Sequence, residues 1–348
     1  MMGTATQDTG DDRRIGIWLL VCCALVFAMV VLGGVTRLTG SGLSMVEWDP
    51  VMGFIPPMNQ AEWERVFGLY QASPEYQKIN IGMDLEGFKR IYWFEFAHRV
   101  LGRTIGIVFL LPFLYFLARG MLRRPLVPKL LAMFVLGGMQ GLLGWYMVKS
   151  GLVDNPHVSQ YRLTAHLTLA IVIYAYMFWV ALGLLLDSGR ETVARASACV
   201  RLSAGLLGLL VLVTIMSGGF VAGLKAGYVY NTFPLMGGRW IPEAMFLQEP
   251  LWRNFFENMA TVQFDHRVLA MLTLAGIIAF WLVARRSIGT RQSRAGTHLL
   301  LAAGVLQVSL GISTLLLHVP VALAAAHQAG ALVLLTAILF LNHRLSFE

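Results

Sequence analysis

Eight long apolar runs constrain the fold of this chain more than any other feature of its sequence. Hydrophobic residues make up 57% of the 348 residues and charged residues only 13%, whereas about a quarter of a soluble domain is charged. An α-helix needs about 20 apolar residues to cross a bilayer. The sequence therefore predicts an all-α integral membrane protein with eight transmembrane helices, at 15–36, 91–118, 127–148, 163–186, 202–224, 259–284, 298–317 and 319–342.

Basic residues in the short connections predict the orientation of these helices. Arg and Lys recur in the connections at 119–129, 187–201 and 285–297. Short connections rich in such residues stay on the cytoplasmic side, which places both termini there as well. We interpret the net charge of +8 as this topology signal and expect no nucleic-acid partner. The first 14 residues contain three Asp, which is atypical of a mitochondrial transit peptide, so the predicted location is a bacterial inner membrane.

The chain also contains an internal repeat. The stretch "PVMGFIP" is matched by "PLMGGRWIP", "QGLLG" by "QVSLG", and "HVSQYRLTAH" by "HVPVALAAAH". Because the spacing changes only at loops, the repeat predicts two tandem four-helix bundles in parallel orientation, related by an axis along the membrane normal. The first half is 15–186, with a large outer loop at 37–90, and the second half is 202–342.

The outer loop is predicted to contain an amphipathic helix. Asn59 can cap its start, and Glu62 lies at the capping-box position. An apolar stripe follows at helical spacing, formed by Trp63, Val66, Phe67 and Tyr70. Such a helix can cover a site or simply pack against the bundle, and the sequence leaves both roles open.

Four of the eight histidines lie within predicted helices at equivalent depths, about one to two turns from the outer surface. They are His98, His166, His266 and His327. Ionisable groups at such positions are costly, and for a single one the default alternative is a hydrogen bond to a neighbouring helix. A duplicated pattern of four favours metal ligation instead.

Two imidazoles on facing helices are the arrangement with which helical bundles hold haem. Zinc is less favoured, because the histidines are divided between the halves, with no Cys and few carboxylates to complete a tetrahedron. The sequence therefore predicts two haem sites near the periplasmic side. The first pair is His98 and His166, and the second pair is His266 and His327.

Two arginines directly follow histidines of these pairs. Arg99 and Arg267 are candidates to bind the propionates of haem through bidentate contacts. For each of them, anchoring at the membrane interface is the alternative.

Glu95 distinguishes the two halves. It lies one helical turn before His98 and therefore on the same face, whereas its counterpart in the second half is Gln263. A carboxylate can shuttle protons or stabilise positive charge on a nearby carbon, although it can also only satisfy a helix amino terminus. The difference favours chemistry in the first half and a permanent cofactor in the second.

Several stretches resemble the haem A synthase family, in its alphaproteobacterial and mitochondrial branch. They are "GGVTRLTGSGLSMVEWDPVMGFIPP", "SPEYQKIN", "EFAHRVLGR", "SQYRLTAHL" and "NTFPLMGG". The resemblance covers both halves and implies an eight-helix oxidoreductase. Its substrate would be haem O, and one methyl group would be oxidised through a hydroxymethyl intermediate to a formyl group, which gives haem A for terminal oxidases.

The resemblance also implies roles for individual residues. His98 and His166 would bracket the substrate haem, His266 and His327 would ligate a resident haem b, and Glu95 would be the functional acid. Another branch of the family has a cysteine pair in the first outer loop, which this sequence lacks.

Partners and alternative functions complete the expectations. Membrane lipid, haem O and an electron donor of unidentified nature are expected partners, while haem O synthase and a second copy of the chain stay open. A dihaem b-type cytochrome that relays electrons would explain the histidines and the repeat, but not the Glu95/Gln263 difference. A transporter would explain the repeat alone.

Overall fold

The computed structural model describes residues 3–47, 53–152, 156, 158–186, 196–287 and 290–347. Within these ranges the secondary structure is α-helical, apart from short 3₁₀ turns and one isolated β-bridge. The helices are α1 (Gly3–Leu38), α2 (Gln60–Gln71), α3 (Pro74–Lys78), α4 (Leu85–Ala118), α5 (Val127–Gly151), α6 (Gln160–Leu186), α7 (Ala198–Gly223), α8 (Asn254–Glu257), α9 (Met259–Ser287), α10 (Arg291–Leu316) and α11 (Val321–Phe347).

Eight of these helices are long and apolar enough to cross a membrane. They are α1, α4, α5, α6, α7, α9, α10 and α11, one for each predicted span. The all-α fold with eight candidate transmembrane helices is thereby confirmed. Each apolar run forms a helix because a segment inside a membrane must satisfy its backbone hydrogen bonds internally.

Three helices, α1, α4 and α10, begin well before their predicted spans. α1 extends back to Gly3. Within this added part, Asp12 accepts a hydrogen bond of 3.0 Å from Nε of Arg123 in the α4–α5 connection. α4 begins at Leu85 because Asp84 caps its start, accepting from the Gly87 amide at 2.8 Å. Hydropathy detects only the apolar part of a helix, so polar end turns are missed.

The longer α4 changes the depth of one histidine along its own helix. His98 lies more than three turns after the start of α4, whereas His166, His266 and His327 lie within the first two turns of theirs. His98 thus lies farther from the start of its own helix than the other three histidines do. The extra turns of α4 pack against the loop helices α2 and α3.

The outer loop contains the expected amphipathic helix, α2. The Glu62 amide donates to Asn59 Oδ1 at 2.9 Å, and the Glu62 carboxylate accepts from the Met58 amide at 2.7 Å. Its apolar stripe packs on the extension of α4, with Tyr70 stacked on Phe88 at a ring distance of 5.0 Å. In this structure α2 thus packs against α4.

The helices of the two halves have neighbours in the same order. In the first half α1 contacts α4 and α6, and α5 contacts α4 and α6. In the second half α7 contacts α9 and α11, and α10 contacts α9 and α11. The halves meet where α6 packs on α7 and α11, and where α1 packs on α11.

Candidate functional site

A large cavity lies inside the bundle, with walls formed by residues of all eight candidate transmembrane helices. Its volume is about 1820 Å³, well above the roughly 300–1,000 Å³ of a typical pocket for one small molecule. The seven predicted site residues all line it: Glu95, His98, Arg99, His166, His266, Arg267 and His327. The fold thus brings the predicted site residues of both halves to a common interior space.

Each of the four histidines is seated against a glycine of the preceding transmembrane helix. The pairs are Gly33 with His98, Gly144 with His166, Gly218 with His266, and Gly311 with His327. A Cβ atom added at these glycines would lie 2.9, 3.1, 3.1 and 2.8 Å, respectively, from Cε1 of the imidazole. The absence of a side chain therefore makes room for each ring, and the arrangement occurs twice in each half.

The second pair has the spacing that a shared metal ion requires. The ring centroids of His266 and His327 are 6.5 Å apart, and their planes are at 86°. Histidine nitrogens bind zinc at about 2.0–2.1 Å, so a metal bound from both sides needs nitrogens about 4 Å apart. A centroid distance of 6.5 Å leaves room for two nitrogens at that separation.

Both rings of the second pair have a side-chain partner at Nδ1. Ser217 Oγ donates to the Thr214 carbonyl at 2.7 Å and lies 2.8 Å from Nδ1 of His266. The hydroxyl can thus accept the Nδ1 proton, which leaves Nε2 of His266 as a metal ligand. At the other ring, Gln307 Nε2 lies 3.1 Å from Nδ1 of His327 and donates to its backbone carbonyl at 3.0 Å.

The first pair is held less completely. Nδ1 of His98 and Nδ1 of His166 are buried without a hydrogen-bond partner among the described residues. Gln140 donates to the backbone carbonyl of His166 at 3.1 Å, as Gln307 does in the second half, and lies 3.3 Å from Nε2 of that ring. Buried imidazole nitrogens without partners are expected where a bound group completes the site.

Glu95 and Arg99 form a buried ion pair that holds the outer loop. Their side chains are 3% and 6% exposed, and the guanidinium also donates to the carbonyls of Met45 at 2.7 Å and Glu47 at 2.9 Å. The other Glu95 oxygen accepts from the Ser44 hydroxyl and the Met45 amide, each at 2.8 Å. Glu95 does not satisfy a helix amino terminus, since that end of α4 is capped by Asp84.

The second half contains a similar arginine clamp, that is, an arginine that binds loop carbonyls, but no carboxylate of the described residues takes part in it. Arg267 donates to the carbonyls of Tyr230 and Thr232, each at 2.8 Å, and Gln263 donates to the Tyr230 carbonyl at 3.0 Å. Among the residues that the structure describes, no ion pair is found for Arg267, and its Nε is buried without a hydrogen-bond partner. The first-half arginine is thus neutralised within the protein, and the second-half arginine is not.

Sequence reasoning missed three groups of this site. The seating glycines and Ser217 carry no chemistry that a sequence pattern would mark. Glu75, within the quoted stretch "SPEYQKIN", also lines the cavity, but it lies in a loop far from any histidine. The one sequence feature that could have pointed to Glu75 is that it belongs to a stretch resembling the haem A synthase family.

Two further histidines, His157 and His318, also recur in the sequence repeat, which predicts that they lie at loop edges on the outer rim. His318 is exposed and does not belong to the cavity wall. His157 lies outside the described residues. No cluster of three or more His, Cys, Asp or Glu side chains able to hold a metal ion occurs in the described part of the chain.

Fold and site together define a polytopic helical membrane protein in which two imidazole pairs face one interior cavity. Comparison with known proteins gives the family: the chain belongs to the family of cytochrome oxidase assembly proteins described as COX15-CtaA, whose pattern matches residues 16–339. The chain is 57% identical to "Heme A synthase" of Nitrosospira multiformis, over 97% of this chain and 95% of that protein.

Relatives also occur in eukaryotes. The chain is 50% identical to "Heme A synthase COX15" of Arabidopsis thaliana, over 96% of this chain and 75% of that protein. It is 47% identical to the protein of the same name from Bos taurus, over 96% of this chain and 82% of that protein. Bacterial and mitochondrial-type members are thus similar to nearly the whole chain.

Proposed function

We propose that this chain is a haem A synthase, a membrane oxidoreductase that converts a methyl group of haem O to a formyl group through a hydroxymethyl intermediate. The names of its relatives support this activity. The observation that carries the proposal is the set of four imidazoles, each seated in a glycine notch and facing one cavity. The alternative of a dihaem b-type cytochrome finds no support in those names.

We assign haem b to the second half as a resident cofactor. His266 and His327 would hold it, since their ring spacing suits a shared iron and Ser217 leaves Nε2 of His266 available. When bound, haem b supplies reversible one-electron chemistry. Arg267 keeps an uncompensated positive charge at the cavity, which a propionate carboxylate can offset.

We assign the substrate, haem O, to the first half. His98 and His166 line the cavity with unpartnered Nδ1 atoms, and neither ring is fixed by a hydroxyl as His266 is. A site that must admit substrate and release product gains from ligands that are held less tightly. The two halves would then act as the tandem bundles of a parallel repeat, which the equal order of helix neighbours supports.

Glu95 has two candidate roles, proton transfer and electrostatic stabilisation, and its contacts favour the second. Both of its oxygens accept hydrogen bonds or face Arg99 in this arrangement. Proton transfer therefore requires one of these bonds to open, whereas electrostatic stabilisation of positive charge near the reacting carbon requires no change. We assign Glu95 to electrostatics and to holding residues 44–47 over the first-half cavity.

The first experiment tests the activity and the division between the halves. The full chain would be produced with a haem O synthase in a host that makes no haem A, and bound haems would be extracted and identified by mass. We expect haem b and haem A from the wild type. His266→Ala should lose haem b, whereas His98→Ala should keep haem b and accumulate haem O.

His298→Gln is the matched control, because His298 is distant from the cavity wall and bonds to Trp281 at 3.0 Å. It should behave as the wild type. A wild-type preparation free of haem, or one that binds haem but forms no haem A, contradicts the proposal. The second of these results would favour the electron-relay cytochrome.

A second experiment tests the role of Glu95. Glu95→Gln should retain haem b and its normal reduction, while unconverted or half-converted haem accumulates. A loss of about 10² in conversion rate is the scale expected when a group aimed at developing charge is removed. Unchanged conversion in Glu95→Gln would remove Glu95 from the reaction.

The membrane orientation is part of the same proposal. Cytoplasmic termini in a bacterial inner membrane would put the cavity mouth and the α1–α4 loop on the periplasmic side. In a variant without Cys199, whose side chain is exposed, Gln71→Cys should react with an impermeant thiol reagent in intact cells and Arg291→Cys should not. The opposite pattern would reverse the orientation.

A further inference from the structure

Glu75 is a buried carboxyl group in the cavity wall that the assignments above do not use. It belongs to the short helix α3 in the outer loop and is 6% exposed. Its Oε2 atom is buried without a hydrogen-bond partner among the described residues. Such an atom is costly unless it holds a proton or meets a ligand.

Three groups from different elements act on this carboxyl group. The phenol of Tyr70 in α2 is within hydrogen-bonding reach and itself accepts from Asn80 Nδ2 at 2.7 Å. Glu95 of α4 adds a negative charge nearby, and Lys225, just after α7, adds a positive one. Burial, followed by the charge of Glu95, raises the pKa of Glu75 from 4.5 to about 7.

Glu75 and Glu95 therefore differ in what they can do with a proton. The oxygens of Glu95 accept hydrogen bonds from the Ser44 hydroxyl and the Met45 amide and pair with Arg99. Oε2 of Glu75 has no such partner among the described residues, and Glu75 lines the cavity together with Ile79, Asn80 and Met83 of the same loop. A proton-transfer group is most effective when its pKa lies near the working pH.

Conversion of a methyl group to a formyl group inserts an oxygen atom and moves electrons between the substrate and the electron-carrying partner that the proposed function requires. Protons must therefore pass between the cavity and water to keep the charge balanced. Resting on the function proposed above, we propose that Glu75 is the proton-exchanging residue of the first-half site. Its Oε2 exchanges protons between the cavity and the water outside the loop. The segment from α3 to Met83, rather than α2, is then the part of the loop that takes part in proton exchange.

The direct test is an infrared titration of the purified full chain, which needs no turnover. Wild type should show a protonated-carboxyl band that disappears with a midpoint near pH 7, and Glu75→Gln should lack it. Glu64→Gln is the matched control, since Glu64 lies in the same loop but is exposed, and it should keep the band. A band that persists in Glu75→Gln, or a wild type with no such titration, overturns the inference.

A stability measurement covers the case in which the variant loses activity for other reasons. Because the folded protein binds this proton more tightly than the unfolded chain, stability falls as pH rises from about 4.5 to about 7. The Tm of Glu75→Gln relative to wild type should therefore increase across this range and level off above it. A difference in Tm that is constant with pH contradicts a neutral, titrating Glu75.

The activity test uses the pH profile of haem O conversion. Glu75→Gln should slow conversion about 10²-fold, with KM for haem O unchanged and the limb near pH 7 lost, while Glu75→Asp should restore part of the rate. A purely structural role would lower the rate without altering the profile, and that result would overturn the inference. If the wild type itself converts no haem O, the proposed function fails, while the infrared titration still decides the state of Glu75.

Discussion

The two histidine pairs of this protein are seated alike but supported differently. In both halves, glycines of the preceding helices make room for the imidazoles, and a glutamine binds the carbonyl of the last histidine. Only in the second half do side chains also contact Nδ1 of both rings. A hydrogen bond from the far ring nitrogen fixes the orientation of a metal ligand, and Ser217 can accept such a bond from His266. The difference supports the proposal that the second half retains its group and the first half exchanges it.

The arginine clamps differ in the opposite sense. In the first half, the carboxylate of Glu95 neutralises Arg99 and holds the loop. In the second half, the uncharged Gln263 takes this position, and the charge of Arg267 is not neutralised. The two halves thus share one clamp geometry, and an acid in one half with an amide in the other gives them different electrostatics. The predictions below test how far that contrast determines stability and haem binding.

The largest expected effect is on stability. Arg99→Met leaves Glu95 buried without its counter-charge, and breaking such a pair costs about 3–5 kcal/mol. Arg267→Met should cost less, because no carboxylate is left behind. Thermal unfolding in detergent measures both, and equal losses would contradict the contrast between the clamps.

A double variant sharpens the first comparison. Removing both charges in Glu95→Gln with Arg99→Met should recover part of the stability that Arg99→Met loses, because the orphaned charge is gone. If the double variant is no more stable than Arg99→Met alone, the ion pair is not the source of the loss.

The glycine notches give the next largest effect. Gly311→Ala places a Cβ 2.8 Å from Cε1 of His327, and Gly33→Ala places one 2.9 Å from Cε1 of His98, so each ring must shift. The first variant should lose the resident haem absorbance, and the second should keep it while haem O conversion falls. Gly205→Ala, with no atom within 4 Å of its added Cβ, should retain both haem binding and activity and gain about 0.5–1 kcal/mol in helix stability.

A smaller effect is expected from the hydroxyl that orients His266. Ser217→Ala removes the contact at 2.8 Å, and loss of such a partner typically costs about 10–100-fold in metal affinity. Haem retention during dilution or competition with apomyoglobin measures this loss. Equal retention by wild type and Ser217→Ala would mean that the two pairs are held alike.

The smallest effect concerns the charge of the second half. Gln263→Glu adds a negative charge near the resident haem, which favours the oxidised iron and lowers its reduction potential. We expect a shift of about 60 mV or less, since about 59 mV corresponds to a tenfold change in a one-electron equilibrium. A potentiometric titration followed by visible absorbance measures it, and a rise in potential would contradict the proposed electrostatics.

The sequence alone determined the eight helices and seven of the residues that line the cavity. Hydropathy is a local property, so each span can be recognised without knowledge of its neighbours. Duplication then marked the four histidines, because their spacing recurs with the repeat. The first turns of α1, α4 and α10 were missed, since polar turns stabilised by Asp12, Asp84 and Thr290 carry no hydropathy signal.

Only the tertiary structure decided which groups meet. The contacts of Arg99 with the carbonyls of Met45 and Glu47, and of Ser217 with His266, join residues about 50 positions apart. The glycine notches and the burial of Glu75 likewise arise only when separate helices and a loop close around one cavity. Hydrogen-bond partners and burial depend on approach in space, and a repeat in the sequence fixes where residues recur but not what surrounds them.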